Sequence, residues 1–228
     1  MQAAIQTPVN KLENSIDFYE KLGFRKIEAG NQHVYTDGKV VVEINPDRYA
    51  RAGIRLYQSS WTSEVDWLKG IAQVHRFDNG YLLSDASGVW IYLMEAEPAW
   101  QFTPEPTSFS VLGNYAGISL ETTDMNRSAA IYEAIGFKTT QGSAESGFVG
   151  YDNNGFGLVL MKPFTCPHLF FNPSMTYFNS GKNLEVIEKI RALQIPITQE
   201  ISHFNKEGIV DNIIIRDPGG YGFFIFND

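Results

Sequence analysis

The chain carries one cysteine, Cys166, in 228 residues. A single thiol excludes an intrachain disulfide and any metal site built on several thiolates, and it suits a reducing cytoplasm, the compartment expected for this protein. Positive charge is also scarce. Eighteen Lys and Arg stand against 26 Asp and Glu, a net charge of −8, and no local basic cluster offsets it, so no nucleic-acid partner is expected. The apolar runs are strand-sized, too short for a membrane span, and no basic stretch followed by an apolar run marks a signal peptide. A nucleophile triad, a glycine-rich phosphate loop and a nucleotide fingerprint are all missing. Histidine is limited to His33, His75, His168 and His203.

Aromatic residues and an internal repetition are what the chain does have. Sixteen Phe, eleven Tyr and four Trp suffice to fill cores and line pockets. Near the start the sequence reads Ser15-Ile16-Asp17-Phe18-Tyr19-Glu20-Lys21-Leu22-Gly23-Phe24, and 113 residues later Ser128-Ala129-Ala130-Ile131-Tyr132-Glu133-Ala134-Ile135-Gly136-Phe137. Self-similarity at a fixed period marks a duplicated structural unit.

Hydrophobic spacing fills in the unit. Leu12, Ile16, Tyr19 and Leu22 recur every three or four residues, which predicts a helix with one apolar stripe, stopped by Gly23. An extended run precedes it (3–9) and three strands follow, at 25–28, 33–36 and 39–44, giving the order β-α-β-β-β. The order recurs from Gly53 to Met94, from Ala116 to Met161 and from Met175 to Phe226. Residues 98–113 carry three prolines and several Ser and Thr, the composition of a linker. The expected organisation is a first domain at 1–97, the linker at 98–113 and a second domain at 114–228. The aromatics of the helix stripe read as packing residues, and the Asp85-Ala86-Ser87-Gly88 and Asp217-Pro218-Gly219-Gly220 segments read as turns.

Four such units, with a Tyr-x-x-Leu/Ile-Gly-Phe helix end and an Asp-x-x-Gly turn before the last strand of the second and fourth, resemble the vicinal oxygen chelate superfamily of glyoxalases, bleomycin-resistance proteins and extradiol dioxygenases. The resemblance covers nearly the whole chain outside the linker. It implies an α+β fold in which four tandem βαβββ modules pair into two cup-shaped mixed sheets with helices on their outer faces. It also implies a place to look for a divalent metal. Metal-dependent members use His or Gln on a unit's first strand and Glu on its last, ligands that suit Fe, Mn, Ni or Zn.

Here the first-strand positions are Ala4 and Gly117, with Gly53 or Arg55 and Met175 or Thr176 in the other units. Gln6 lies two residues beyond Ala4 on the same face. The last-strand positions are Glu43, Tyr92, Leu160 and Phe224. Only Glu43 survives of the expected set, so no metal and no other cofactor is expected, a divalent ion being the alternative. Strand alternation directs Ala4, Gln6, Glu43, Arg55, Tyr57, Trp90 and Tyr92 into the first cup. Into the second it directs Gly117, Ser119, Glu121, Leu160, Lys162, Thr176, Phe178, Phe224 and Phe226, with Glu121 and Lys162 at solvated strand ends and Val159 facing the helices. The ligand-binding candidates are therefore Gln6, Glu43, Arg55, Tyr57, Trp90 and Tyr92 in the first cup, and Ser119, Phe178 and Phe224 in the second. His203, in the polar loop 203–208, is the candidate at a cup mouth.

Three readings of function compete. The first is a metal-free protein of the glyoxalase/bleomycin-resistance kind that binds a small apolar or aromatic molecule in a sheet-lined cup. The second is a metal-dependent lyase or dioxygenase with an atypical ligand set that includes Glu43. The third is a structural or regulatory module whose cups are filled by its own side chains. A small molecule is the expected partner. Four units on one chain let both cups close in a monomer, and a homodimer stays open.

Overall fold

A computed structural model describes residues 1–227. Its sixteen strands form two eight-stranded mixed sheets. In the first sheet β1 (Gln2–Pro8) lies between β4 (Val41–Asn45), parallel to it, and β5 (Gly53–Gln58), antiparallel. Outward from β4 come β3 (His33–Thr36) and β2 (Arg25–Ile27). Outward from β5 come β8 (Trp90–Glu95), β7 (Gly80–Ser84) and β6 (His75–Phe77). The second sheet has the same plan. β9 (Asn114–Glu121) lies between β12 (Phe156–Met161) and β13 (Ser174–Phe178), with β11 (Phe148–Asn153) and β10 (Lys138–Ser143) beyond β12. Beyond β13 come β16 (Gly222–Phe226), β15 (Asn212–Arg216) and β14 (Ile197–Ile201). Among the described residues no helix is long and apolar enough to cross a membrane.

The helices are α1 (Leu12–Lys21), α2 (Thr62–Leu68), α3 (Met125–Ala134) and α4 (Asn183–Ala192). The repeated Leu/Ile-Gly-Phe has a local physical cause. Gly23 and Gly136 adopt φ of 86° and 94°. The amides of Phe24 and Phe137 then bond back to the Tyr19 and Tyr132 carbonyls at 2.9 and 3.0 Å. This is a glycine-dependent helix stop in which the last carbonyls find donors. At the other end of α3, Asp124 accepts from the Arg127 amide, the ordinary side-chain cap.

The helix-covered faces of the two sheets meet. One apolar cluster runs through both halves, from Ile5, Ile54 and Ile91 to Ile118, Leu120 and Phe223. Tyr19 of α1 sits between the sheets, its ring 6.4 Å from Tyr35 of β3 and 6.2 Å from Phe223 of β16.

Polar clasps cross this core. The Tyr19 hydroxyl donates to Asp217 at 2.9 Å, and Tyr132, its repeat, donates to Asp85 at 3.2 Å. Each helix-end tyrosine thus serves the turn carboxylate of the opposite half. Tyr177 likewise reaches back to Asp37 at 3.0 Å. Burial raises the pKa of both Asp85 and Asp217, while their hydroxyl and amide donors pull in the opposite direction. The helix stripe and the Asp-x-x-Gly turn are therefore more than packing and punctuation: together they tie the halves.

Candidate functional site

With helices between the sheets, the free faces of the sheets are the two cups, and their contents differ. In the first cup Glu43 is buried, and both its oxygens are engaged. Oε1 accepts from the Tyr57 hydroxyl at 2.6 Å and from the Trp100 indole at 2.9 Å. Oε2 takes Arg55 Nη1 at 2.7 Å. The Tyr57 phenol is pushed upward, first by burial and then by the Glu43 charge. For Arg55 burial acts downward, and the charges and hydrogen bonds of Glu43 and Tyr57 together outweigh it, so its pKa is raised. The geometry is a desolvated ion pair with satisfied acceptors, where loss of one partner would leave a buried charge.

Trp100 belongs to the segment that its prolines mark as a linker. Its indole is only 3% exposed and packs with Ala4, Val34, Val41, Tyr57 and Met94. Gln6 is buried beside this group; its amide donates to the Arg51 carbonyl at 2.9 Å and accepts from Asn45 at 3.0 Å. The Tyr92 hydroxyl accepts the Arg51 amide at 3.2 Å, and Trp90 is half-buried opposite Gly53. The first cup is thus filled from within. What remains is a cavity of about 270 Å³ at its edge, lined by His33, Asn45, Glu43 and Arg55 among others.

The second cup holds a cavity of similar size, but a mostly apolar one. This cavity of about 280 Å³ is lined by Gly117, Ser119, Phe148, Val159, Thr176, Phe178 and Phe224, with Gln141, Met161, Cys166 and Phe226 among others. Its only buried polar pair is Ser119 and Thr176, whose hydroxyls lie 2.7 Å apart. One hydroxyl donates to the other, which leaves a donor and lone pairs for a third group. Phe224 and Phe226 stack with rings 2° from parallel and 5.4 Å apart.

The 162–173 segment packs on these two rings. His168 sets its ring edge on Phe224 at 5.1 Å and on Phe226 at 5.0 Å, and Phe170 meets Phe224 at 4.9 Å. Burial holds the His168 imidazole below its ordinary value. His203 is exposed in its loop, in contact with Phe204 at 4.5 Å, and does not line the cavity. Alternation by itself gave no role to His168, because it lies on a connecting segment.

One register differs from the strand-alternation reading. Val159 pairs with Ser119 as Glu43 pairs with Gln6. Val159 lines the cavity while Leu160 is fully buried in the shared core. The counterpart of Glu43 is therefore Val159, not Leu160. Every residue from Leu158 to Met161 is apolar, so polarity there cannot report which face is which.

The donor set does not suit a metal of the superfamily type. Glu43 has spent its oxygens on Arg55, Tyr57 and Trp100, and Val159 stands at its counterpart. Gly117 takes φ of 141°, and a Cβ there would sit 2.9 Å from the Gly157 carbonyl, so that first-strand position has no room for a ligand side chain. No group of three or more His, Cys, Asp or Glu comes together among the described residues.

Neither a protein-family model nor a curated protein matches the chain. Solved structures do. A Mn(II)-bound glyoxalase from Novosphingobium aromaticivorans superposes with a TM-score of 0.61 at 12% identity, over 98% of this chain and 80% of that one. The 2,3-dioxygenase LapB from Pseudomonas sp. KL28 gives 0.57 at 13% identity, over 99% and 91%. The 2,2',3-trihydroxybiphenyl 1,2-dioxygenase of Sphingomonas wittichii strain RW1 gives 0.57 at 11%, over 99% and 89%. The chain has the fold of these vicinal oxygen chelate proteins.

Proposed function

We propose that the protein binds a small aromatic molecule in its second cup, as a glyoxalase/bleomycin-resistance-like binding protein that does not rely on the superfamily metal. The observation that carries this reading is the apolar cavity of about 280 Å³ floored by the Ser119–Thr176 hydroxyl pair. A 150 Å³ apolar cavity holds benzene, so this one takes a one- or two-ring molecule. Phe224, Phe226 and Phe178 offer ring faces and edges for stacking, and the hydroxyl pair reads one polar substituent. Such a composition, mostly apolar with one placed polar group, is typical of small-molecule sites. Support also comes from the aromatic substrate in the name of the trihydroxybiphenyl dioxygenase.

A thermal-shift screen of one- and two-ring aromatics tests the reading. A ligand present at a hundred times its Kd stabilises by about 2.7 kcal/mol, which raises the Tm of a chain this size by roughly 5–10 °C. Phe224→Ala should remove most of that shift, and Ser119→Ala should weaken ligands with a polar substituent selectively. Absence of a shift with any aromatic compound would sink the proposal. Stoichiometric Fe, Mn, Ni or Zn lost on Glu43→Ala would favour the metal-dependent enzyme instead.

A further inference from the structure

The first cup already holds a ligand, supplied by the chain itself. Trp100 enters edge-on to Tyr57, with ring centroids 5.9 Å apart at 84°, and gives its N–H to Glu43 at 2.9 Å. Its acceptor is fixed independently of it, because Arg55 and Tyr57 orient the same carboxylate at 2.7 and 2.6 Å. Arg55 Nε is buried with no partner, a second donor at the site that the chain does not use.

The occupant is weakly tethered. The connection from β8 to β9 is fastened in its later part: the Glu105 and Phe109 amides bond to Gly38 and Asp37 at 2.6 and 2.8 Å. Ser108 reaches Asp37 at 2.9 Å, and Arg25 lies 3.9 Å over the Phe109 ring. From residue 96 to 104, by contrast, no backbone hydrogen bond forms among the described residues. The Trp100 indole makes the single side-chain hydrogen bond of that stretch, and Phe102 packs half-buried at the edge of the cluster. The cavity lined by His33, Asn45, Glu43 and Arg55 opens beside the indole's acceptor, which gives a free molecule a way in.

We infer that the first cup is a second binding site, for a bicyclic aromatic carrying a ring N–H of the indole class, and that Trp100 is its exchangeable occupant. A free indole takes the place of the Trp100 ring against Ala4, Val41 and Met94 and donates to Glu43. The 96–104 strap then detaches. Because the tethered ring competes at an effective concentration in the millimolar range, the wild type binds indole more weakly than a chain with no occupant. A ring without N–H is disfavoured, since it leaves a buried carboxylate oxygen short of a donor.

The test uses the full chain and indole itself. In the wild type, saturating indole should speed proteolytic cleavage within 101–104 severalfold and shift the Trp100 Nε1–H cross-peak in a ¹⁵N NMR spectrum. Unchanged cleavage and an unchanged cross-peak would overturn exchange. Neither readout responds to indole held in the second cup, so the two sites are separated. In Trp100→Ala, binding is followed at the first-cup residues Gly53 and Arg55. Indole should bind at least tenfold tighter than in the wild type. It should also bind at least tenfold tighter than indene, the fold-change expected of a hydrogen bond to a charged acceptor. Equal binding of indole and indene would overturn the role of Glu43. Should Trp100→Ala fail to fold, the two wild-type readouts decide alone.

Discussion

Replacing Tyr19 by Phe removes one hydroxyl and keeps the ring, so its effect isolates a single clasp across the core. The lost bond is a 2.9 Å donation to Asp217, with both groups buried. A hydrogen bond to a charged acceptor contributes about 1.5–3 kcal/mol, and the shortened donor list leaves Asp217 Oδ2 with Thr7 alone among side chains. The expected cost is about 2 kcal/mol at pH 7, a fall in Tm of roughly 4–8 °C for a chain this size. The cost should depend on pH. Burial raises the Asp217 pKa above the ordinary 3.8, and Tyr19 pulls it downward. An acid whose pKa is raised on folding contributes its stability fully below that ordinary value and loses it as pH rises through the folded one. Without Tyr19 the folded pKa rises further, so the variant loses more over the same upward window. Near pH 4 the bond is to a more nearly neutral carboxyl, and its deletion should cost about 1 kcal/mol. Urea unfolding at pH 4 and pH 7, followed by far-UV circular dichroism, measures both values. Tyr35→Phe, whose hydroxyl meets the exposed Glu20 at 3.2 Å, is the control and should cost less. A Tyr19→Phe cost below about 0.5 kcal/mol at pH 7, or one that does not change with pH, would refute the reasoning.

Two further substitutions probe the cups. Glu43→Ala should cost about 3–5 kcal/mol by stranding Arg55, whereas Glu43→Leu with Arg55→Met should come within about 1–2 kcal/mol of the wild type; chemical denaturation compares them. Leu160→Ala should cost about 2–5 kcal/mol as a core cavity. Val159→Ala should cost less than half as much in the same assay yet change second-cup affinity, an asymmetry that the reverse register would invert.

The sequence made the scaffold readable because its signals are local. Leu12, Ile16 and Tyr19 repeat at helical spacing, Gly23 and Gly136 end their helices through backbone conformation, and the turns at Asp85 and Asp217 bond to their own loop amides. The contents of the first cup were not readable in the same way. Trp100 sits among prolines and polar residues, where composition says linker. Its one signal is its own size, since a tryptophan is seldom left in water without reason. The Tyr19–Asp217 and Tyr132–Asp85 clasps join positions far apart in the chain, and periodicity carries no information about partners at such range. In β12 the failure is different: a strand apolar on both faces hides its register, so Val159 and Leu160 exchange places without changing the pattern.

Neither half supplies the phenol that its own turn carboxylate uses. Asp85 depends on Tyr132, and Asp217 on Tyr19. A polypeptide severed within 101–104 would give two fragments, each with a bare apolar face and a turn acid lacking its phenol donor. Apart, each lacks the apolar face and the phenol that the other supplies. The crossed clasp thus makes this chain a natural split pair, with association of the pieces as the event that restores the fold.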